Sequence, residues 1–166
     1  MTALAAVAIA VGVPGAQAQT RNCFDTVVGM RDFSRFVTGV AAARVSDDVR
    51  FAREITIFAV TNEGVRRSPP HIIDVLFPVD DSSDRRADRT QAGPAVAAHV
   101  INGRHDAAAL AKGGQFTTVA GTPLVVAASG SGLTVQGANT QPANITMPDI
   151  ACSNGIIHGV DRLLLR

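Results

Sequence analysis

The hydrophobic period of this chain changes once, at Gly113-Gly114, and that change limits the fold more than any other feature of the sequence. Before it, apolar residues recur at helical spacing. Between Asp25 and Val45 they are Val27, Val28, Phe33, Phe36, Val37, Val40 and Ala41, with charged residues interleaved, which predicts two short helices broken near Gly29 to Asp32. Ala95 to Ile101, closed by Asn102-Gly103, and Asp106 to Lys112, stopped by Gly113-Gly114, read as further helices. After the change, Phe116 to Ala120, Leu124 to Ala128, Leu133 to Gln136, Ile145 to Cys152 and Ile156 to Leu165 are short β-type runs separated by Gly, Pro, Ser and Asn. Helices followed by a set of strands predict an α+β fold.

One strand interrupts the helical half. Ile55 to Val60 is short, apolar and β-branched, which fits a buried strand, and Thr61-Asn62-Glu63 directly after it supplies side chains suited to a helix start. Ser68 to Gly93 reads as a helix-containing excursion around the apolar island Ile72 to Phe77, followed by a solvated, charge-dense loop from Asp80 to Arg89.

Thr2 to Val13 is an almost unbroken apolar run, ended by Pro14-Gly15 and followed by the small-residue pattern Ala16-Gln17-Ala18. That is the layout of a cleaved export signal, and the run is shorter than the roughly 20 residues that span a bilayer. The expectation is a signal over residues 1–18 and one domain over 19–166, secreted or periplasmic and not membrane-spanning after cleavage. In an oxidising compartment the only two cysteines, Cys23 and Cys152, are expected to form one disulfide; two separate buried thiols are the alternative.

The formal net charge is +1, with no basic stripe, so nucleic acid is not an expected partner. The chain has neither Trp nor Tyr, the residues that dominate interface hot spots and sugar-stacking platforms, so a binding surface here must use aliphatic, Phe or polar contacts. The four histidines, His71, His99, His105 and His158, show no ligand spacing, and neither cysteine stands beside one, so no metal and no cofactor are expected. Ser129-Gly130-Ser131-Gly132 lacks the frame of a nucleophile elbow and reads as a hairpin between Val126 and Val135. Gly113-Gly114 has a helix before it and a strand after it, the reverse of a phosphate-binding loop. An enzyme is not expected.

Three segments carry a resemblance. Thr56-Ile57-Phe58-Ala59-Val60-Thr61-Asn62-Glu63, Ala98-His99-Val100-Ile101-Asn102-Gly103 and Ser153-Asn154-Gly155-Ile156-Ile157-His158-Gly159-Val160-Asp161-Arg162-Leu163-Leu164-Leu165 stand in the order and spacing of the signature segments of the fasciclin domain family, which this chain resembles. Val60 replaces the usual Pro, Gly64-Val65 an Ala-Phe pair, Gly159 a bulky apolar residue, and Ala98 a Tyr. The resemblance implies N-terminal helices packed on a two-sheet β-wedge, and an adhesion or binding role at a cell surface or matrix with a protein or polysaccharide as partner. An envelope-associated structural protein is the alternative, and a monomer is the expected state. It also implies that Asn62, His158 and Asp161 belong to one structural polar network, and that His99, Asp149 and Ile150 are candidates for partner contact, although the loss of the Tyr beside His99 weakens that role.

Overall fold

The computed structural model of the chain describes residues 21–76, 89–130, 132–138 and 140–165. The expected signal over 1–18 and residues 80–88 of the charged loop lie outside the described residues.

The N-terminal half is helical in short pieces. α1 (Cys23–Val28) is capped by Asn22, whose side chain accepts from the Asp25 N–H, and it ends at Gly29. A 3₁₀ turn (Arg31–Phe33) leads into α2 (Ser34–Ala42), so the break falls where the sequence places it. α3 (Ser46–Phe51) follows as a separate turn of helix that the sequence pattern does not announce. β1 (Ile55–Val60) then runs directly into α4 (Asn62–Arg66), with Thr61 as the cap: its Oγ1 accepts from the Gly64 N–H. α5 (Pro70–Leu76) and α6 (Arg89–Ala97) complete this layer before β2 (Val100–Asn102), the short α7 (Ala107–Leu110), β3 (Gly114–Thr117), β4 (Pro123–Ser129), β5 (Gly132–Gly137), β6 (Ala143–Cys152) and β7 (Gly155–Val160).

Two expectations need correction. The helix predicted over Ala95 to Ile101 stops at Ala97, and Val100–Asn102 is a strand paired with β1. The β-branched Val100 and Ile101 are both buried on that pairing, a tertiary gain that outweighs local helical character. The two-sheet wedge is replaced by one seven-stranded sheet in the order β2-β1-β7-β6-β5-β4-β3. β6 is long enough to serve both halves, pairing with β5 near Ala143 and Asn144 and with β7 from Ile145 to Cys152. The outer strands come back together where Ile101 bridges Thr118 and the Val119 N–H donates to the Val100 carbonyl at 2.8 Å, so the sheet curls towards a barrel.

The core sits under β1 and β7. Every residue of both strands is buried. That suits a parallel pair, which is normally covered on both faces. Phe33, Phe36, Val40 and Val96 close it from the helical layer, and Leu110, Leu124, Val126 and Val135 extend it under the last strands.

Candidate functional site

The three signature segments, distant in sequence, are neighbours in the sheet. β1 pairs in parallel with β7, from Ile55 opposite Gly155 to Val60 opposite Val160, and antiparallel with β2 on its other side. Phe58 therefore lies opposite His158, and their rings stack with centroids 5.7 Å apart.

His99 stands at the joint between α6 and β2 and is 1 % exposed. The Leu164 N–H donates to its Nε2 at 2.9 Å, which leaves Nδ1 to carry the proton and donate to the Ala95 carbonyl at 2.7 Å. Burial lowers its pKa to about 4. A neutral imidazole therefore links the helical layer to the chain after β7. His158, in the middle of β7, is also buried: it accepts from the Asp149 N–H at 3.3 Å on Nδ1, and its Nε2 faces the His105 carbonyl at 2.9 Å as donor. Burial pushes its pKa below the ordinary imidazole value, against the opposing pull of the His105 carbonyl and the Asp149 and Asp106 carboxylates.

Asp149 lies within the register shift between Met147 and Ile150 of β6, with φ of 59°, and its Oδ1 accepts from the Ala107 N–H at 2.7 Å, at the start of α7. Ile150 beside it is half-buried against the core and pairs with Ile157. Asn62 accepts from the Arg35 N–H at 3.0 Å and donates to the Arg31 carbonyl at 2.9 Å, fixing the entry into α2. Asp161 binds Asn144 twice, through the backbone N–H at 2.7 Å and the side-chain amide at 2.9 Å. Cys23 and Cys152 are disulfide-bonded and fully buried, with α-carbons 5.0 Å apart.

The model of the Fasciclin domain matches residues 31–166. The chain belongs to the fasciclin domain family. Among relatives, it is 27 % identical over 144 residues to the uncharacterized protein sll1735 of Synechocystis sp. (strain ATCC 27184 / PCC 6803 / Kazusa), covering 87 % of this chain and 97 % of that one. Among solved structures, it is similar to the FAS1 domain pair of the insect cell adhesion molecule Fasciclin I, with a TM-score of 0.64 and 26 % identity over 80 % of this chain. It spans 45 % of that two-domain chain.

Within this fasciclin domain the residues singled out from sequence serve different ends. Asn62, His158 and Asp161 do not form one network: the first holds the start of α2, the second joins the β6 irregularity to the loop before α7, and the third ties β7 to β6. Asn62 and Asp161 follow the paired ends of the parallel strands β1 and β7 at the same end of the sheet, yet their side chains serve different groups, Asn62 the Arg31 carbonyl and Arg35 N–H and Asp161 the Asn144 N–H and amide. His99 offers no surface to a partner, since it is buried with both ring nitrogens occupied. Asp149 is exposed, but its carboxylate is engaged with α7.

Two further anchors escaped the sequence reading. Asn154 accepts from the Cys23 N–H at 2.8 Å and donates to the Val49 and Ala52 carbonyls at 3.0 Å each, joining α1, α3 and the β6–β7 turn beside the disulfide. Thr56, fully buried, donates to the Gly103 carbonyl and accepts from the His105 N–H. An Asn-Gly pair is an ordinary turn signal, and a Thr in a strand an ordinary strand signal; nothing local marks either as a hub. Gly64, where the family has Ala, has a clearer cause. A Cβ there would stand 2.7 Å from the Asp161 carbonyl carbon, so α4 approaches the end of β7 too closely for any side chain.

A groove of about 270 Å³ lies between α3, α6 and β2, walled by Val49, Val96, Val100 and Val119. Among the described residues its polar members are Asp48 and Asn102, with no imidazole and no acid-base pair. Among the described residues no group of three or more His, Cys, Asp or Glu could hold a metal ion, and no helix is long and apolar enough to cross a membrane.

Proposed function

We propose that the chain is exported, cleaved after Ala18, and acts from Gln19 onward as a single-domain binding module that attaches to a protein or polysaccharide of the cell surface or matrix. The observation that carries this reading is membership of the fasciclin domain family together with the similarity to a domain pair from a cell adhesion molecule. Two features of the chain support it. The buried Cys23–Cys152 bridge suits an oxidising compartment, where such bonds persist. The residues best suited to acid-base chemistry, His99 and His158, have both ring nitrogens committed to backbone groups, which favours a structural over a catalytic role.

The test has two parts. N-terminal sequencing of exported material is expected to begin at or near Gln19; an intact Met1 in a membrane fraction would replace the cleaved signal with an anchor. Labelled protein from residue 19 onward is expected to bind native cells, envelope fragments or matrix polysaccharide saturably. Stoichiometric co-purification with one envelope protein, with no saturable binding to any surface, would sink the adhesive reading in favour of a structural envelope component.

A further inference from the structure

Two of the few large apolar side chains that the described fold leaves exposed meet at one place. Phe51, the last residue of α3, is 77 % exposed, while Phe33, Phe36 and Phe58 are buried. Val119 is 53 % exposed and lines the groove between α3, α6 and β2. The helical side of that groove is formed by Val45, Asp48, Val49 and Ala52, which recur at helical spacing along α3 and its caps. Phe51 stands three residues beyond Asp48, the neighbouring position on the flank of the same helix. It therefore lies beside the groove and does not fill it.

Roughly 150 Å³ of apolar space holds a benzene ring, so a groove of about 270 Å³ has room for a phenyl side chain. A knob and a hole of compatible size lie side by side on one patch. That is what a two-fold axis requires, because in such an interface residue i meets residue j and j meets i. An unrelated partner that fills the groove still leaves Phe51 to be covered by something else. A second copy answers both at once, each chain placing its Phe51 in the groove of the other.

The charges agree with that occupant. A two-fold axis across α3 sets the two helices antiparallel, so the start of each meets the end of the other. Asp48 in the first turn then faces the partner's Arg53, and Arg44 before the helix faces the partner's Glu54. All four are exposed, and none has an ion pair among the described residues, whereas Asp47 and Arg50 are already paired with each other. We propose that α3 and its groove form an isologous interface through which two copies of this chain pair, anchored by reciprocal insertion of Phe51. The pairing departs from the monomer expected from sequence and does not depend on what the module binds.

The test is sedimentation equilibrium of the disulfide-intact protein across the micromolar to millimolar range. A reversible monomer–dimer equilibrium is expected. Phe51→Ser removes the anchor and is expected to weaken association at least about thirtyfold, with no fall in melting temperature, since the side chain is exposed in the monomer. Asp48→Lys and Arg53→Glu, each alone, are expected to weaken it about tenfold by setting like charges together, and the double variant to recover it. Val125→Thr, on the outer face of the β3–β4–β5 ribbon, is expected to leave it unchanged. A protein that stays monomeric throughout, a dimer that Phe51→Ser leaves intact, or a folded double variant that associates no better than the single ones would each overturn the proposal. So would a monomer that binds the apolar dye anilinonaphthalene sulfonate and loses it in Val49→Asp, which would give the groove to a small apolar ligand.

Discussion

The helical layer with β2, β1 and β7 on one side, and the β3–β4–β5 ribbon on the other, use one sheet in two ways. β1 and β7 are buried at every position, and the polar groups among them, Thr56, His99 and His158, are answered by named backbone atoms. The disulfide, Asn154 and the ion pairs of Arg50 with Asp25 and of Arg67 with Asp161 all lie in this half. The ribbon alternates buried and exposed residues and carries no charge at all. Where both faces are covered, each side chain is fixed by its neighbours; where one face meets solvent, half the positions are free to be chosen for something else. Stability is therefore concentrated in one half, and surface chemistry can vary in the other.

The largest test of that division is the disulfide. Cys23 and Cys152 are separated by 129 residues, and the chain-entropy model puts a bridge over a loop of that size at about 4 to 5 kcal/mol, less whatever the native state gives back. Urea unfolding of the Cys23→Ser/Cys152→Ser variant, or of reduced protein, is expected to show a loss of several kcal/mol. A loss below about 1 kcal/mol would remove the bridge from the list of what holds the helical half to the end of the sheet.

Acid should act on the same half and almost as strongly. The His99 pKa is lowered to about 4 by burial, against about 6.5 in an unfolded chain, so between those values the unfolded state binds the extra proton. The stability contributed by keeping this imidazole neutral is fully present above pH 6.5 and is lost as the pH falls from 6.5 to about 4, reaching roughly 3 kcal/mol. The His158 pKa is lowered too, and its contribution has the same sign. Denaturant midpoints measured from pH 7 to pH 4 are expected to fall over this window, with a shallower fall in His99→Leu. A variant whose curve superimposes on that of the parent would show that His99 is not the group responsible.

His158→Ala is expected to be smaller again. It leaves the Asp149 N–H and the His105 carbonyl without a partner and opens space beside Phe58, at about 1 to 3 kcal/mol. The melting temperature should drop while the protein that remains folded binds its surface with unchanged affinity. Lost affinity at an unchanged melting temperature would move His158 from the fold to the binding site.

Much of the dividing line was legible in the sequence. The change of period at Gly113-Gly114 separates the helices from the ribbon, because a strand with one solvated face shows its alternation in any window of a few residues. The buried strand Ile55–Val60 was legible for the opposite reason, as a continuous β-branched run ending in a capping Thr. Val100–Asn102 was not, since three residues after a helix carry no period of their own and become a strand only because β1 lies beside them. The joining of the strands into one sheet was equally hidden: it depends on the length and the irregular register of β6, and register is a property of two strands. At the site, the buried histidines could be named from their apolar settings. Their partners, the Leu164 N–H, the Asp149 N–H and the Ala95 and His105 carbonyls, could not, because any residue supplies such groups and only the tertiary arrangement selects which.

The smallest expected effect sharpens the comparison most. Val125→Thr changes a residue at the centre of the ribbon's outer face, flanked by Gln115 and Gln136 and 47 % exposed. Threonine keeps the β-branched shape that suits a strand, so the backbone preference is retained. The hydroxyl it introduces meets solvent on the exposed side and needs no protein partner. Surface substitutions of this kind stay within about 0.5 kcal/mol, an order of magnitude below the disulfide. The same exchange in β1, Val60→Thr, would place a hydroxyl at a fully buried position opposite Val160 of β7 and is expected to cost about 1 to 3 kcal/mol. Paired urea titrations of the two variants measure the difference directly. If Val125→Thr costs as much as Val60→Thr, the outer face of the ribbon is covered in solution, and its freedom to serve a ligand disappears.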